Sequence, residues 1–172
     1  MARPLAPAVW PEPEAVVLEA EALTRDAMAA VSRLRRVVRD LNDANTELKV
    51  SEADPGDAVE SIGRRYRHAA VELELALTEF DRALPPLETK HARIAELLAS
   101  GRLAAHVDDD YAAALARLES AAVTVRGDLA LFPNALRRVG DVLPPLRPTT
   151  ERVTFAIERV LAILPIAGGR AA

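Results

Sequence analysis

The chain has 172 residues, of which half are hydrophobic and 28% are charged, and this favours one globular or bundle-like domain over two. Aromatic residues make up only 3% and there are seven glycines, so an apolar content supplied by Ala, Leu and Val favours helices over strands. The absence of cysteine excludes disulfides and thiol chemistry, and a net charge of −4 argues against a dedicated nucleic-acid binder.

The first 13 residues contain four prolines, at positions 4, 7, 11 and 13, and we expect them to form an extended arm rather than a helix. This arm carries Trp10, the only tryptophan, which either folds back onto the domain or anchors a protein partner. The N-terminus has no uninterrupted apolar segment typical of a secretory signal, and no uncharged stretch of the sequence is long enough to span a bilayer. We therefore expect a cytoplasmic protein without a transmembrane segment.

A long helix is predicted from Glu14 to Val50, because this segment contains neither Pro nor Gly and repeats its apolar residues in heptads. The second half of this helix has the pattern of a zipper seam, formed by Val31, Leu34, Val38, Leu41, Asn45 and Leu48. A third apolar row beside the seam makes the stripe wider than a two-stranded coiled coil needs, which indicates a helix that contacts two neighbours. Asn45 at a seam position indicates a specified register, either within a bundle or with another subunit.

A second helix is predicted after Asp57, which forms a capping-box pattern with Glu60. Its apolar row keeps its phase through the first of two Leu-Pro-Pro-Leu segments, at residues 84–87, so we expect a kink there rather than a turn. Ser100 and Gly101 supply the predicted end of this helix.

A third helix is predicted from Asp108, an expected N-cap, with an apolar row that crosses Pro133 in phase. We therefore expect Pro133 to kink this helix without ending it. The second Leu-Pro-Pro-Leu segment, at residues 143–146, is followed by a third proline and by Thr149 and Thr150 as candidate N-caps, and it is expected to form a turn. A shorter last helix should end at Pro165.

Together these elements predict an all-α fold, an elongated antiparallel bundle of three long helices, some of them kinked by proline, plus a shorter C-terminal helix. This bundle would occupy residues 14–165, between the Pro-rich arm at residues 1–13 and a flexible tail at residues 166–172.

Arginines cluster on the first two predicted helices, and two interpretations of them are open. A phosphate-binding or nucleic-acid-binding surface would use Arg33, Arg36, Arg39, Arg64, Arg65 and Arg67. In the other interpretation these arginines belong to solvated helix faces and pair with neighbouring Asp and Glu. Nearly all basic residues are Arg, a composition like that of bacteria with GC-rich genomes, and no Gly-rich phosphate loop is present, so the second interpretation is favoured.

Glu88 and His91 have the Glu-x-x-His spacing that places two metal ligands on one helix face. A carboxylate-bridged metal bundle needs a second such pair, which the sequence lacks, so we expect no cofactor and a His91 that forms a local hydrogen bond at the edge of the bundle. The sequence contains no Cys nucleophile and no Gly-x-Ser-x-Gly pattern, and we do not expect an enzyme.

The sequence as a whole favours a non-enzymatic interaction or scaffold protein that forms a homo-oligomer or binds a partner helix. A nucleic-acid-associated bundle that uses the Arg clusters is the first alternative, and a metal- or cofactor-binding bundle is the second.

Overall fold

The computed structural model describes residues 12–50 and 55–164, and all the regular secondary structure in this part of the chain is helical. Its elements are α1 (Glu12–Val50), α2 (Pro55–Ala99), α3 (Asp109–Leu129), α4 (Phe132–Val142), a 3₁₀ turn (Pro144–Leu146) and α5 (Arg147–Ile163). The predictions for Trp10 and the rest of the arm before Glu12, for Pro165, and for the tail at residues 166–172 lie outside the described residues. Among the described helices, none has an apolar stretch long enough to cross a membrane.

The helices α1 and α2 form an antiparallel hairpin about 60 Å long, given a rise of 1.5 Å per residue. Ion pairs join the two helices at both ends and near the middle: Arg93 lies 2.8 Å from Glu12, Arg65 lies 3.0 Å from Glu47, and Arg33 lies 2.8 Å from Glu72. The buried rows of both helices meet in one core, so the hairpin is the frame on which the other helices pack.

The third helix packs along α1 and runs parallel to it, with Met28 and Arg35 of α1 lining the same groove as Ala116 and Thr124 of α3. The helices α4 and α5 form a shorter antiparallel hairpin at the opposite end, where Leu146 reaches Gly63 of α2. From there α5 runs along α2. The described helices therefore surround one continuous core.

The two Leu-Pro-Pro-Leu segments differ in structure, as predicted. Pro85 and Pro86 lie inside the uninterrupted helix α2, where Leu84 and Leu87 on either side remain buried. At the second copy the chain leaves the helix at Leu143 (φ −121°, ψ 79°) and forms the 3₁₀ turn. A proline pair is tolerated in α2 because the apolar row on both sides of it stays packed in the core, which offsets the two missing backbone hydrogen bonds.

The third predicted helix is two helices, so the expectation of a single helix kinked at Pro133 was wrong. The helix α3 ends at Leu129, a turn occupies Ala130 and Leu131, and Pro133 lies in the first turn of α4. In a continuous helix the ring of Pro133 would clash with the carbonyl group of Leu129, four residues earlier. Proline also has no amide hydrogen to donate to that carbonyl. The predicted apolar row is nevertheless buried from Tyr111 to Val139, because the turn restarts the helix in phase.

The predicted helix ends are confirmed in part. Gly101 has φ +70°, and the backbone N–H groups of Gly101 and Arg102 bond the carbonyls of Leu98 and Leu97, which terminates α2 as predicted. Asp108 precedes α3, but its side chain forms no capping hydrogen bond, so that part of the N-cap prediction was wrong. With φ −93° and ψ 3°, Asp108 lacks the extended backbone from which a cap side chain reaches back to the helix.

Three other helices begin earlier than predicted because proline is compatible with a first helical turn. The helix α1 begins at Glu12 with Pro13 buried, α2 begins at Pro55 ahead of the predicted cap at Asp57, and α5 begins at Arg147 ahead of Pro148. Thr150 consequently lies inside α5, where its hydroxyl donates to the carbonyl of Arg147 at 3.0 Å instead of capping the helix.

Gly140 marks the closest approach of α4 to the start of α5. A Cβ atom at this position would lie 2.8 Å from Thr150 Oγ1 and 3.4 Å from Arg147 Cα. We expect Gly140→Ala to lower the free energy of unfolding by about 1 kcal/mol, because the overlap outweighs the gain from removing a helical glycine. Urea denaturation measures this loss, and the loss should shrink in a Thr150→Ala background. An equal loss in both backgrounds would contradict the assigned contact.

A bidentate ion pair joins α5 to α2. Arg152 Nε donates to Glu74 Oε1 at 2.9 Å, and Arg152 Nη2 donates to Glu74 Oε2 at 2.7 Å. These hydrogen bonds lower the pKa of Glu74 below its ordinary value of 4.5, against a smaller opposing effect of burial. The pair therefore stabilises the fold above the ordinary pKa of Glu, and this contribution is lost as the pH falls through the lowered pKa.

We accordingly expect Glu74→Gln to be less stable than the parent protein at about pH 7, by less than about 1 kcal/mol because both side chains are half-exposed. The difference should shrink as the pH falls below the ordinary pKa of Glu and vanish once the carboxyl group is protonated in the folded protein. Thermal unfolding across this range measures it, and a difference that grows on acidification would contradict the assignment.

Candidate functional site

The predicted zipper seam on α1 lies in the core of the chain itself. Val31, Leu34 and Leu41 are fully buried where α1 meets α2 and α3, whereas Val38, Asn45 and Leu48 are half-buried at the edge of that contact. The wide apolar stripe predicted a helix with two neighbours, and α1 contacts both α2 and α3. The buried part of the seam is therefore already occupied within the chain and offers little surface to a partner.

Half of the predicted phosphate-binding arginines are neutralised by carboxylates. Arg33 bridges Glu72 at 2.8 Å and Glu79 at 2.9 Å, and these contacts raise its pKa. Arg65 pairs with Glu47 at 3.0 Å, and the exposed Arg64 lies 4.0 Å from Glu60 one turn away. Arg33 and Arg65 therefore join α1 to α2, whereas the Arg64–Glu60 pair is largely exposed and contributes little to stability.

The other three predicted arginines, Arg36, Arg39 and Arg67, are exposed and have no ion-pair partner within the described residues. Arg36 and Arg39 lie one turn apart on α1. Arg67 lies elsewhere, since a Cβ atom at Gly63 would be 3.3 Å from its Nη1 atom and 3.1 Å from Leu146 of the turn before α5. The six predicted arginines therefore do not form one continuous surface.

His91 shares a hydrogen bond with the hydroxyl of Tyr111, 2.9 Å from its Nδ1 atom, which joins α2 to α3. Burial, followed by the charges of Glu119 and Asp108, raises the pKa of Tyr111 to about 12, so this hydroxyl keeps its proton at neutral pH. The bond agrees with the expected structural role of His91, although its partner is on another helix. Within residues 12–50 and 55–164, no group of three His, Asp or Glu side chains is placed to hold a metal ion. Glu88 and His91 therefore do not belong to such a group.

A groove of about 290 Å³ between α4 and α5 was not predicted from the sequence. Two ion pairs lie in it, since Arg137 is 3.1 Å from Glu158 and Arg147 is 3.7 Å from Asp141, and Glu151 also lines it without an ion pair among the described residues. Phe155 on its rim is 62% exposed. Because the other charges are already paired, Glu151 is the one unbalanced charge in the described lining of the groove.

The outward side of α3 is a continuous uncharged surface, here called the outer face of α3. Its residues are exposed, carry small or apolar side chains and recur at spacings of three and four: Ala113, Ala116, Ser120, Val123, Thr124 and Gly127. Val123 at its centre is 63% exposed, and Leu131 just beyond the helix is 75% exposed. The opposite side of α3 is buried in the core, so α3 has apolar side chains on both sides.

Four charged residues border the outer face of α3, and none of them forms an ion pair within the described chain. Arg117 and Asp128 lie on one border, and Glu119 and Arg126 lie on the other. Arg126 Nε donates to the carbonyl of Leu164 at 3.1 Å, which leaves its remaining N–H groups available. On the hairpin, by comparison, Arg33 and Arg65 pair with carboxylates, while Arg36, Arg39 and Arg67 have no ion-pair partner among the described residues.

A shallow groove of about 460 Å³ runs between the outer face of α3 and α1. Arg35 of α1 and Arg117 of α3 both line it, and neither has an ion-pair partner among the described residues. This surface was not predicted from the sequence, because the prediction for α3 considered only the apolar row that packs in the core. A signal was present, since the stretch between Asp110 and Asp128 contains only three charged residues.

The contribution of Arg33 can be tested by comparison with its neighbour Arg36. We expect Arg33→Met to lower the free energy of unfolding by about 1–2 kcal/mol, because it leaves the largely buried Glu72 beside Glu79 without a counter-charge. Arg36→Met removes the same charge from an exposed position on the same helix and should change stability by less than about 0.5 kcal/mol. Urea denaturation measures the free energy of unfolding of both variants without screening their charges. Equal losses of stability would contradict a structural role for Arg33.

Comparison with known proteins adds no assignment to this geometry. No protein-family model matches the chain, and no curated protein and no solved structure is significantly similar to it. The functional interpretation of the outer face of α3 therefore rests on the physical properties of its own residues.

Proposed function

We propose that this chain is a non-enzymatic helical-bundle protein that acts through protein–protein contacts, as a scaffold or self-associating component, and that the outer face of α3 is its contact surface. The observation that carries this proposal is the exposed, uncharged surface centred on Val123, on a helix whose opposite side is already buried. The inner side of α3 packs in the core, and its outer side lacks a neighbour within the described chain.

The chemistry of this surface suits another helix. Ala113, Ala116, Ser120 and Gly127 have short side chains, so a second helix could approach the α3 backbone closely. Val123 supplies an apolar side chain whose burial is favourable by roughly 1–2 kcal/mol. No charged group has to be desolvated at the centre of such a contact, and desolvation of charges is the main cost of burying a polar surface.

Two other exposed apolar sites are less suited to this role. Phe155 stands beside the internally paired charges of the α4–α5 groove, with the Arg159 guanidinium 5.9 Å from its ring centre. Val71 and Leu75 on α2 are each 44% exposed, but they form a patch of only two residues. The outer face of α3 is longer than either and has no charge at its centre.

The nucleic-acid alternative now involves a smaller set of residues. Arg36 and Arg39 support it, because they are exposed and have no ion-pair partner among the described residues. Arg33 and Arg65 do not, because their charges are balanced by glutamates. The metal-binding alternative has less support, since His91 is already bonded to Tyr111. A cytoplasmic location stays a prediction from the sequence.

Site-specific photo-crosslinking tests the proposed function. A photoreactive residue at Val123 in the full-length protein should give protein–protein adducts in cells, whereas the same residue at Val71 on α2 is the matched control and should not. Both positions are exposed valines on long helices, so their substitution leaves the core intact. Equal adduct formation at both positions, or none at Val123, would contradict the proposed contact surface.

A further inference from the structure

We infer that the partner of the outer face of α3 is the same face of a second copy of this chain, packed antiparallel across a two-fold axis. This inference rests on the proposed function and identifies the partner. It comes from the charge pattern at the two borders of the face. In a two-fold contact each pair of opposing residues occurs twice, so the surface must complement itself.

The four border charges satisfy this condition in one register. In an antiparallel helix pair, each border of one helix meets the same border of the other. On the first border, Arg117 and Asp128 carry opposite charges, and on the second border Glu119 and Arg126 do. The midpoint between Arg117 and Asp128 is the Ala122–Val123 peptide, and the midpoint between Glu119 and Arg126 is the same peptide. A two-fold axis at this peptide therefore pairs all four charges of each copy at once.

The surroundings of the first border favour an acidic group from outside the chain. Arg117 lies in the α1–α3 groove together with Arg35, and these two like charges have no carboxylate partner among the described residues. Asp128 of the second copy would enter this groove beside Arg117. Such a contact relieves the repulsion between the two arginines and supplies the acidic partner that Arg117 lacks among the described residues.

The residues near the proposed axis suit close packing. Val123 is the largest side chain on the outer face of α3 and lies next to the axis, so the two copies of Val123 would contact each other. Ala116, Ser120 and Gly127 lie on either side of it and leave room for the opposing helix at an interaxial distance of about 8 Å. The most apolar part of the face thus forms the centre of the contact and the charges form its rim, as in protein interfaces generally.

The contact is small, because it involves one helix from each copy. Interfaces of this size are typical of weak, reversible association, so we expect a dissociation constant on the order of 10 μM. Sedimentation equilibrium of the full-length protein from about 1 to 200 μM covers that range. Val123→Glu places a charge at the axis from an exposed position, and it should weaken association at least tenfold without loss of helicity.

Charge reversal tests the register. Arg117→Asp and Asp128→Arg should each weaken self-association, since each places like charges opposite each other. The double variant R117D/D128R should recover it, because both pairs form again with reversed signs. A mixture of the two single variants should also associate, as a heterodimer with fully opposite charges. Arg138→Asp on α4 is the control, since this exposed arginine lies away from α3 and should leave association unchanged.

Disulfide formation tests the direction of packing, and the chain has no native cysteine to interfere. Val123→Cys should form a disulfide-linked dimer, because the two copies of this residue meet at the axis. Ala113→Cys, equally exposed, should not, because its two copies would lie about 28 Å apart along an antiparallel pair at 1.5 Å per residue. In a parallel pair both variants would form the disulfide, and that result would overturn the antiparallel arrangement.

Three further results would overturn the inference, and the first of them leaves the proposed function standing. A protein that stays monomeric at 200 μM, yet gives Val123 adducts with other proteins, would leave the proposed function standing with a different partner. A monomer whose Val123→Cys thiol resists alkylation would show that the same chain covers the face itself, and this result would contradict the proposed contact surface as well. Self-association that neither V123E nor R117D weakens would place the interface elsewhere.

Discussion

The packing of α1 against α2 along almost their full length is the constraint on which the rest of the structure depends. Each helix buries one wide apolar stripe in this contact, and carboxylate–arginine pairs follow its edge. Hydrophobic burial supplies most of the stabilisation, and the partly exposed ion pairs add specificity of register. Arg33 is the most enclosed of these arginines, and by bridging Glu72 and Glu79 it holds the middle of the two helices in register.

This hairpin determines what remains available for the other helices. The stripe on α1 is wide enough to contact α3 as well as α2, and α2 has a second side that receives α5. Different helices pack against the two ends of the hairpin. The helix α3 packs near the start of α1, and the α4–α5 hairpin packs near the start of α2. The turn before Pro133 allows α3 and α4 to pack in different places. Because of it, α4 packs against α5 while α3 stays against α1.

The consequence for function is an asymmetry between α1 and α3. On α1 the apolar stripe is covered by two neighbours, so the zipper-like seam from Val31 to Leu48 mainly supports the chain's own core. On α3 one side is covered and the other is not, and its border charges lack partners within the described chain. An uncovered apolar face with unpaired charges at its borders is the usual composition of a protein–protein contact, with an apolar centre and a polar rim.

Much of the fold follows from local properties of the sequence. The all-helical class, the burial of the apolar rows, the helix end at Gly101, and the different outcomes of the two Leu-Pro-Pro-Leu segments all follow from periodicity and from the backbone chemistry of Pro and Gly. The prediction failed at Pro133, because periodicity reports the phase of a helix and not its continuity. It also failed at the cap side chain of Asp108, where the local backbone geometry decides whether a side chain can reach back.

Only the tertiary structure decided which apolar and charged residues find partners. The seam on α1, the arginine clusters and the uncharged stretch of α3 are all visible in the sequence. Nothing in the sequence alone shows which of them is buried or paired. Their roles differ because burial and ion pairing depend on which helix lies opposite, and that is a property of packing between segments distant in the chain. Val31 is buried and Val123 is exposed, although both are valines on regular helices. The reason is that α1 has helices along both sides of its stripe, whereas α3 has neighbours on its inner side alone within the described chain.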